Sequence, residues 1–383
     1  MKRHLLVLLS SSLFTFQALQ AQTNTAVGAG ALEINTTGIE NSAFGYRALW
    51  SNTSGNYNTA MGSRALQTNS GGSYNTATGF NALYSNKVGF YNTANGVYAL
   101  YHNTTGSQNT AIGNNALFWN TTGEYNTATG AYALTNNIDG IYNTANGYFA
   151  LVNNINGTGN TAIGYYALMK NTTASHNTAI GIYSLENNTS GGGNTATGSN
   201  ALSKNTTGNS NTANGSAALS SNTIGTNNTA SGSAALRNNS TGTHNTGSGV
   251  EALYSNSTGS YNTATGINSM RENQTGYFNV AYGGYSLYSN RSGNYNTAIG
   301  YEVLANSTGS NNTAVGVQAL NKNTTGENNL ANGAFALYNN TTGNYNTAFG
   351  FGALNNNLTG SGNITSGAGA LASNNSGSYN MVF

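Results

Sequence analysis

Acid and base side chains are the first candidates for chemistry. This chain has few of them: nine Asp and Glu, eleven Lys and Arg and four His among 383 residues. General acid–base catalysis needs two such groups held at a fixed separation, and Glu33, Glu186 and Glu272 form no repeating acid pair. Asp139 is the only Asp, which excludes a calcium roll built on a repeated Asp. No Cys is present, so a disulfide framework and cysteine-ligated metal are excluded as well. His102, His176 and His244 are isolated in sequence. His176 and His244 occupy the same place in the repeat described below, four units apart, or about 19 Å at the spacing of paired strands, too far to share a metal. Gly191-Gly192-Gly193 has neither the Lys nor the helix that a phosphate cradle needs. Many N-x-S/T sequons occur, but the repeat generates them. The sequence therefore reads as a non-enzymatic protein with no cofactor and no metal site.

The elements that would position any side chain come from one unit copied end to end. Twenty-two asparagines, from Asn24, Asn41, Asn58 and Asn75 to Asn380, mark it; 20 of the 21 intervals are 17 residues, and the exception, Asn296 to Asn312, is 16. A fixed period of this size signals a solenoid, in which each unit buries its apolar face on its neighbours.

Lys2 and Arg3 precede an apolar run from Leu5 to Phe16, with Ala21 as a small residue for cleavage. This is the layout of a secretory signal peptide, expected over residues 1–21, and it is too short to cross a membrane. Residues 22–383 then form the array. Without Lys2 and Arg3, nine cations face nine acids, so the clustered cationic face required for nucleic-acid binding is missing. No later segment is apolar enough to span a bilayer.

Numbered from its first Asn, the unit reads N-T-A-x-G-x-x-A-L-x-x-N-T-T-G-x-Y. Gly at position five (Gly28, Gly45) and at position fifteen predicts two turns per coil that need positive φ or close backbone approach. The segments between them suit short strands. Position two exchanges Thr for Val280, Leu330, Ile364 and Met381, so it is expected to face inward. Together with the small residue at position eight and Leu at position nine (Leu32, Leu49), it would make a thin core. The Asn columns at position one and at position twelve (Asn35, Asn52) predict amide ladders between stacked coils; for position twelve, tolerance of a left-handed turn is an equal alternative. The short unit is expected to lack a residue at position ten or eleven, which keeps Asn306 in column twelve. The fold expected is all-β: a parallel β-solenoid, on the order of 100 Å long at about 4.8 Å per coil. Its alternative has one strand and one short helical turn per coil, because Ala-Leu favours helix. So thin a core recovers little of the cost of ordering the coil, and self-association is expected.

Aromatic residues recur at position seventeen (Tyr57, Tyr74, Tyr91) and position ten (Trp50, Tyr84, Tyr101). None occurs between Tyr183 and Tyr254, so a coil can be built without them. They are candidate surface contacts for a sugar, a matrix or another chain, or rows that only support the ladder.

The stretch N-T-A-x-G-x-x-A resembles the head repeat of YadA-type trimeric autotransporter adhesins, S-V-A-I-G followed by x-x-A and a second Gly turn. Asn160 to Ala167 (N-T-A-I-G-Y-Y-A) and Asn312 to Ala319 (N-T-A-V-G-V-Q-A) match it well, with the extra residues of this longer unit falling in the N-T-T-G turn. The unit also resembles repeats of tail-fibre-like bacterial proteins. The resemblance covers residues 24–383 and implies a left-handed β-roll, a homotrimer, and an adhesive or spacer role on the outer surface of a Gram-negative-type bacterium. Neither a coiled-coil stalk with its anchor nor a chaperone domain occurs within those residues. The sequence stops mid-unit at Asn380-Met381-Val382-Phe383, and a longer native product is expected.

The expectation is a secreted or surface fibre that mediates attachment to a host surface, matrix or glycan. A functional amyloid or matrix protein of curli type is the alternative. An ice- or glycan-binding solenoid ranks below it because the Thr column is expected to face inward.

Overall fold

The computed structural model describes residues 23–383; the expected leader lies outside the described residues. Each unit contributes one short strand, from β1 (Thr25–Val27) and β2 (Ser42–Phe44) to β22 (Met381–Val382). Every strand pairs in parallel with its sequence neighbours, one coil on, as in Thr59↔Thr76 and Ala60↔Ala77. The protein is a parallel β-solenoid of 17-residue coils, and the described residues contain no helix.

Strand alternation places position three inward, not position two. Ala43, Ala60, Ala77 and their equivalents between the two end strands have no exposed surface, whereas Ala26 in β1 and Val382 in β22 are uncovered at the rod's ends. No residue at position two is buried. This corrects the expected core: the Thr column and its replacements Val280, Leu330, Ile364 and Met381 lie on the outer face of the sheet with position four. In a strand, neighbours of an inward residue must point outward. The expectation for positions eight and nine holds between the ends, since Ala48, Leu49 and their equivalents are buried, while Leu32 and Leu371 in the end coils are half-buried and pack against the same core. The interior is thus one Leu and two small side chains per coil. Position three of one coil lies on the Leu of the coil before: a Cβ added to Gly247 would come 3.4 Å from Leu236.

The Ala-Leu stretch is two consecutive tight turns, closed by Ala48 N–H to Gly45 O at 3.2 Å and Asn52 N–H to Leu49 O at 3.2 Å. Arg47 (φ 52°) and Leu49 (φ 49°) are left-handed, which excludes a helical turn. A left-handed non-glycine residue costs roughly 1–2 kcal/mol. Burial of the Leu side chain and the bond from its N–H to Ala65 O, 3.0 Å, offset this cost.

The two Gly columns answer different demands. Gly45 has φ 132°, a region that only glycine occupies at low cost. Position fifteen has no positive φ at Gly55, but a Cβ there would lie 2.2 Å from the Gly72 carbonyl oxygen and 2.6 Å from Asn52 Oδ1.

Both Asn columns form ladders. Asn41 Oδ1 accepts from the main-chain N–H of Asn58 at 2.9 Å and from its Nδ2 at 3.1 Å. Asn35 Oδ1 accepts from Asn52 Nδ2 at 2.8 Å, and Asn52 Oδ1 from Asn69 Nδ2 at 2.7 Å. Asn24 begins the first column by accepting from Asn41 N–H at 2.8 Å, and Asn75 continues it onto Asn58. No Asn of either column is left-handed, so column twelve is a ladder and not a turn device.

The short coil departs from expectation. Ser307, not Asn306, enters column twelve: its N–H bonds Leu304 O at 3.1 Å as the column's Asn does elsewhere, it is buried, and Asn323 Nδ2 donates to its Oγ at 3.0 Å. Asn306 stays exposed outside the ladder. The missing residue therefore falls in the T-T pair before Gly309, and the amide ladder is broken once, by a hydroxyl.

Candidate functional site

With all coils but the short one built on the same geometry, a site must come from residues that depart from the repeat. The titratable groups do not converge: among the described residues, no three of His, Cys, Asp and Glu come together to hold a metal. The ion pairs among the described residues centre on Arg271, which meets Glu251 at 2.7 Å and also Glu272. The Glu251 hydrogen bond raises the Arg271 pKa further, so this cation serves as structural charge. Among the described residues, no helix is long and apolar enough to cross a membrane.

The candidate surface residues fall into separate rows. Tyr57, Tyr74 and Tyr91 stack continuously, with centroids 4.9 and 4.8 Å apart, and remain about half exposed. Tyr84, Tyr101 and Phe118 form a second stack at 5.0 and 5.2 Å. Burial, and then the neighbouring phenols of Tyr84 and Tyr98, raises the Tyr101 pKa above 10, against a smaller opposing effect of Arg64. Trp50 is not part of this stack, because Gln67 intervenes in the column. Its indole N–H donates to Glu33 Oε2 at 2.8 Å, and Arg47 lies 5.4 Å from its ring centroid.

Within such rows each ring face is covered by the next ring, leaving edges and hydroxyls outward. Stacking on a sugar uses a free face, which the interior of a row does not offer. The rows therefore present phenol edges. A row at position seven behaves alike, running from Tyr132 through Phe149 and Tyr166 to Tyr183. Beside it, the Tyr165 phenol, bonded to Tyr166, is pushed up to about 12.

Two features escaped the reading of the sequence. The first is the outer strand face, where Thr at position two stands beside position four and the side chains of Ile112, Ile163, Ile180 and Ile299 are exposed. The alternation around the near-invariant Ala at position three signals it. The second is Trp119, half exposed at position eleven and stacked on His102 at 4.0 Å with the rings 4° from parallel. Burial lowers the His102 pKa below 6.5. No other coil carries Trp in this column, and that singularity is the signal that marks it.

No protein-family model matches this chain, and no curated protein is significantly similar to it.

Proposed function

We propose that the chain is the shaft of an exported, non-enzymatic surface fibre that self-associates along its strand face and serves in adhesion or as a rigid spacer. The observation that carries this reading is the outer face of one uninterrupted sheet. Aliphatic side chains recur on it at position four, in Ile112, Ile163, Ile180 and Ile299, all at least a third exposed, and Ile182 and Ile267 add exposed aliphatic surface just past the Gly turn at position six. A row of this kind along a rod would bury apolar area in every coil on contact with an equivalent row. The resemblance to YadA-type head repeats supports a homotrimer and a location at the cell surface. Light scattering of the chain lacking residues 1–21 tests the assembly: a mass of three chains is expected, and a stable monomer at micromolar concentration would overturn it. Beads coated with the same chain should adhere to cells or matrix if the role is adhesive, and should not if it is a spacer.

A second reading gains from the outward Thr column. Every strand from Thr59 to Thr263 opens with Thr, giving a straight row of methyl and hydroxyl groups repeating at about 4.8 Å. Regular rows of this type suit ordered water, and the objection that Thr points inward no longer stands. Because the two readings compete for one face, they exclude each other in the same assembly. Thermal hysteresis from a monomeric chain at micromolar concentration would favour ice binding.

A further inference from the structure

Trp119 closes one end of an open groove of about 650 Å³ that runs along the rod axis to Lys170 and Thr189. Its floor and walls come from positions eleven and thirteen of successive coils, and departures from the repeat meet there. Position thirteen is usually Thr or Ser, but the groove carries Ile138 and Ile155 in consecutive coils. Position eleven shrinks from Trp119 to Asn136 and Asn153, which opens the space. His102 covers one face of the Trp119 ring. The rows run along the axis, so the opposite face looks over Asn136 into the groove.

The polar groups have capacity left. Asn136 Nδ2 donates to Asn153 Oδ1 at 3.2 Å and Asn153 Nδ2 to Met169 O at 2.9 Å, which leaves the Oδ1 of Asn136, a residue that lines the groove, able to accept. The Thr121 hydroxyl donates to Ile138 O at 3.1 Å and can still accept. Lys170 Nζ uses one N–H on Asn187 Oδ1 at 2.7 Å and keeps two.

We propose that this groove is a binding site for a neutral glycan. One pyranose ring stacks on the free face of Trp119, and the following rings lie along the axis over Ile138 and Ile155. Hydroxyls that both donate and accept match the mixed set of Thr, Asn and Lys groups, and the C–H face of a sugar matches the indole. An extended peptide is a poorer occupant, because strand addition needs an unpaired edge. Here the backbone is already bonded coil to coil, as in Thr121 N–H to Ile138 O at 2.9 Å and Ile138 N–H to Ile155 O at 2.9 Å. A lipid tail would leave the Asn and Lys groups desolvated without partners. The site names a partner class for the adhesive reading and rests on that reading for its biological sense. Its test reads the groove alone, whereas light scattering reads the fibre.

The chain has two Trp, so Trp50→Phe leaves Trp119 as the only indole. Titrating this variant with cellohexaose, chitohexaose, maltohexaose, xylohexaose and mannohexaose should give a saturable change in indole emission with at least one sugar. Adding Ile138→Thr and Ile155→Thr, which restores the residue common in that column, should weaken binding about tenfold or more with an unchanged melting curve. Calorimetry on Trp119→Ser, the residue found at position eleven in other coils, should show binding lost. The proposal is overturned if none of the five sugars saturates, if the double Thr variant binds equally well, or if only detergent micelles or peptides change the emission.

Discussion

Asn41 and Asn52 donate to the same acceptor: the Nδ2 of each lies 2.9 Å from the carbonyl oxygen of Gly55. The two amide ladders are thus tied together once per coil, at the residue where a Cβ would displace the Asn52 amide. With so little apolar volume per coil, buried and fully bonded amides carry the specificity of the stack, and each is costly to leave unpaired.

The first prediction tests that tie in mid-array. Asn211 Nδ2 donates to Gly225 O at 2.8 Å and to Asn194 Oδ1 at 3.2 Å. Asn211→Asp replaces this donor with an oxygen that faces two acceptors. The expected loss is about 3 kcal/mol or more, against about 2 kcal/mol for Asn211→Ala, which removes the bonds without adding a charge. Urea unfolding followed by circular dichroism measures both; equal losses would mean that the amide proton is not what the ladder needs.

The core makes a second prediction. Leu219 is fully buried, with φ 50°, whereas Tyr91 is half exposed and stacks on Tyr74 alone within its row. Leu219→Asp should cost about 4 kcal/mol or more, through lost packing and an unpaired buried charge. Tyr91→Ser should cost about 1 kcal/mol or less. Similar melting shifts for the pair would contradict the placement of the core.

The period made the solenoid legible, since every copy must satisfy one geometry, and it made Leu49 and its equivalents legible as core. The direction of position two was misread. Exchange of Thr for Val280 or Leu330 fits an exposed strand site as well as a buried one, because β-branched and apolar residues suit both. The near-constant Ala at position three was the better signal, and strand alternation then fixes its neighbours. Left-handed Leu could not be foreseen, because Leu has no intrinsic preference for that region and takes it only where the coil buries its side chain. Ser307 was hidden for a related reason: the type of Asn306 fits the column, but the backbone bond to Leu304 selects Ser307. The stacking of Tyr57 on Tyr74 follows from period and strand spacing, whereas the groove beside Trp119 depends on the sizes of residues in adjoining columns.

Glycine at position five gives a third prediction. Gly215 has φ 137°, and a Cβ on it would lie 2.5 Å from the Gly232 carbonyl oxygen. Gly215→Ala therefore meets backbone strain and an unyielding contact at once. A loss of about 2–4 kcal/mol is expected, felt mostly by the adjoining coils because contacts in a solenoid are nearest-neighbour. Hydrogen exchange should show the extra opening concentrated around Thr212 and Thr229, and a uniform loss of protection along the rod would contradict it.

The last prediction concerns pH. Burial holds the His102 pKa below its ordinary 6.5, and the ring lies flat on Trp119. A depressed pKa in a base means that the folded chain resists a proton that the unfolded chain accepts. The stability associated with His102 is therefore complete above about pH 6.5 and declines as pH falls toward the folded pKa. In the Trp50→Phe chain the same protonation is visible directly, because an imidazolium stacked on the indole alters the emission of Trp119. That emission should titrate with a midpoint below 6.5, and His102→Ser should abolish the step. A midpoint at or above 6.5 would show that the imidazole is more open to water than its contact with Trp119 implies, and would weaken the case for an indole with only one face free.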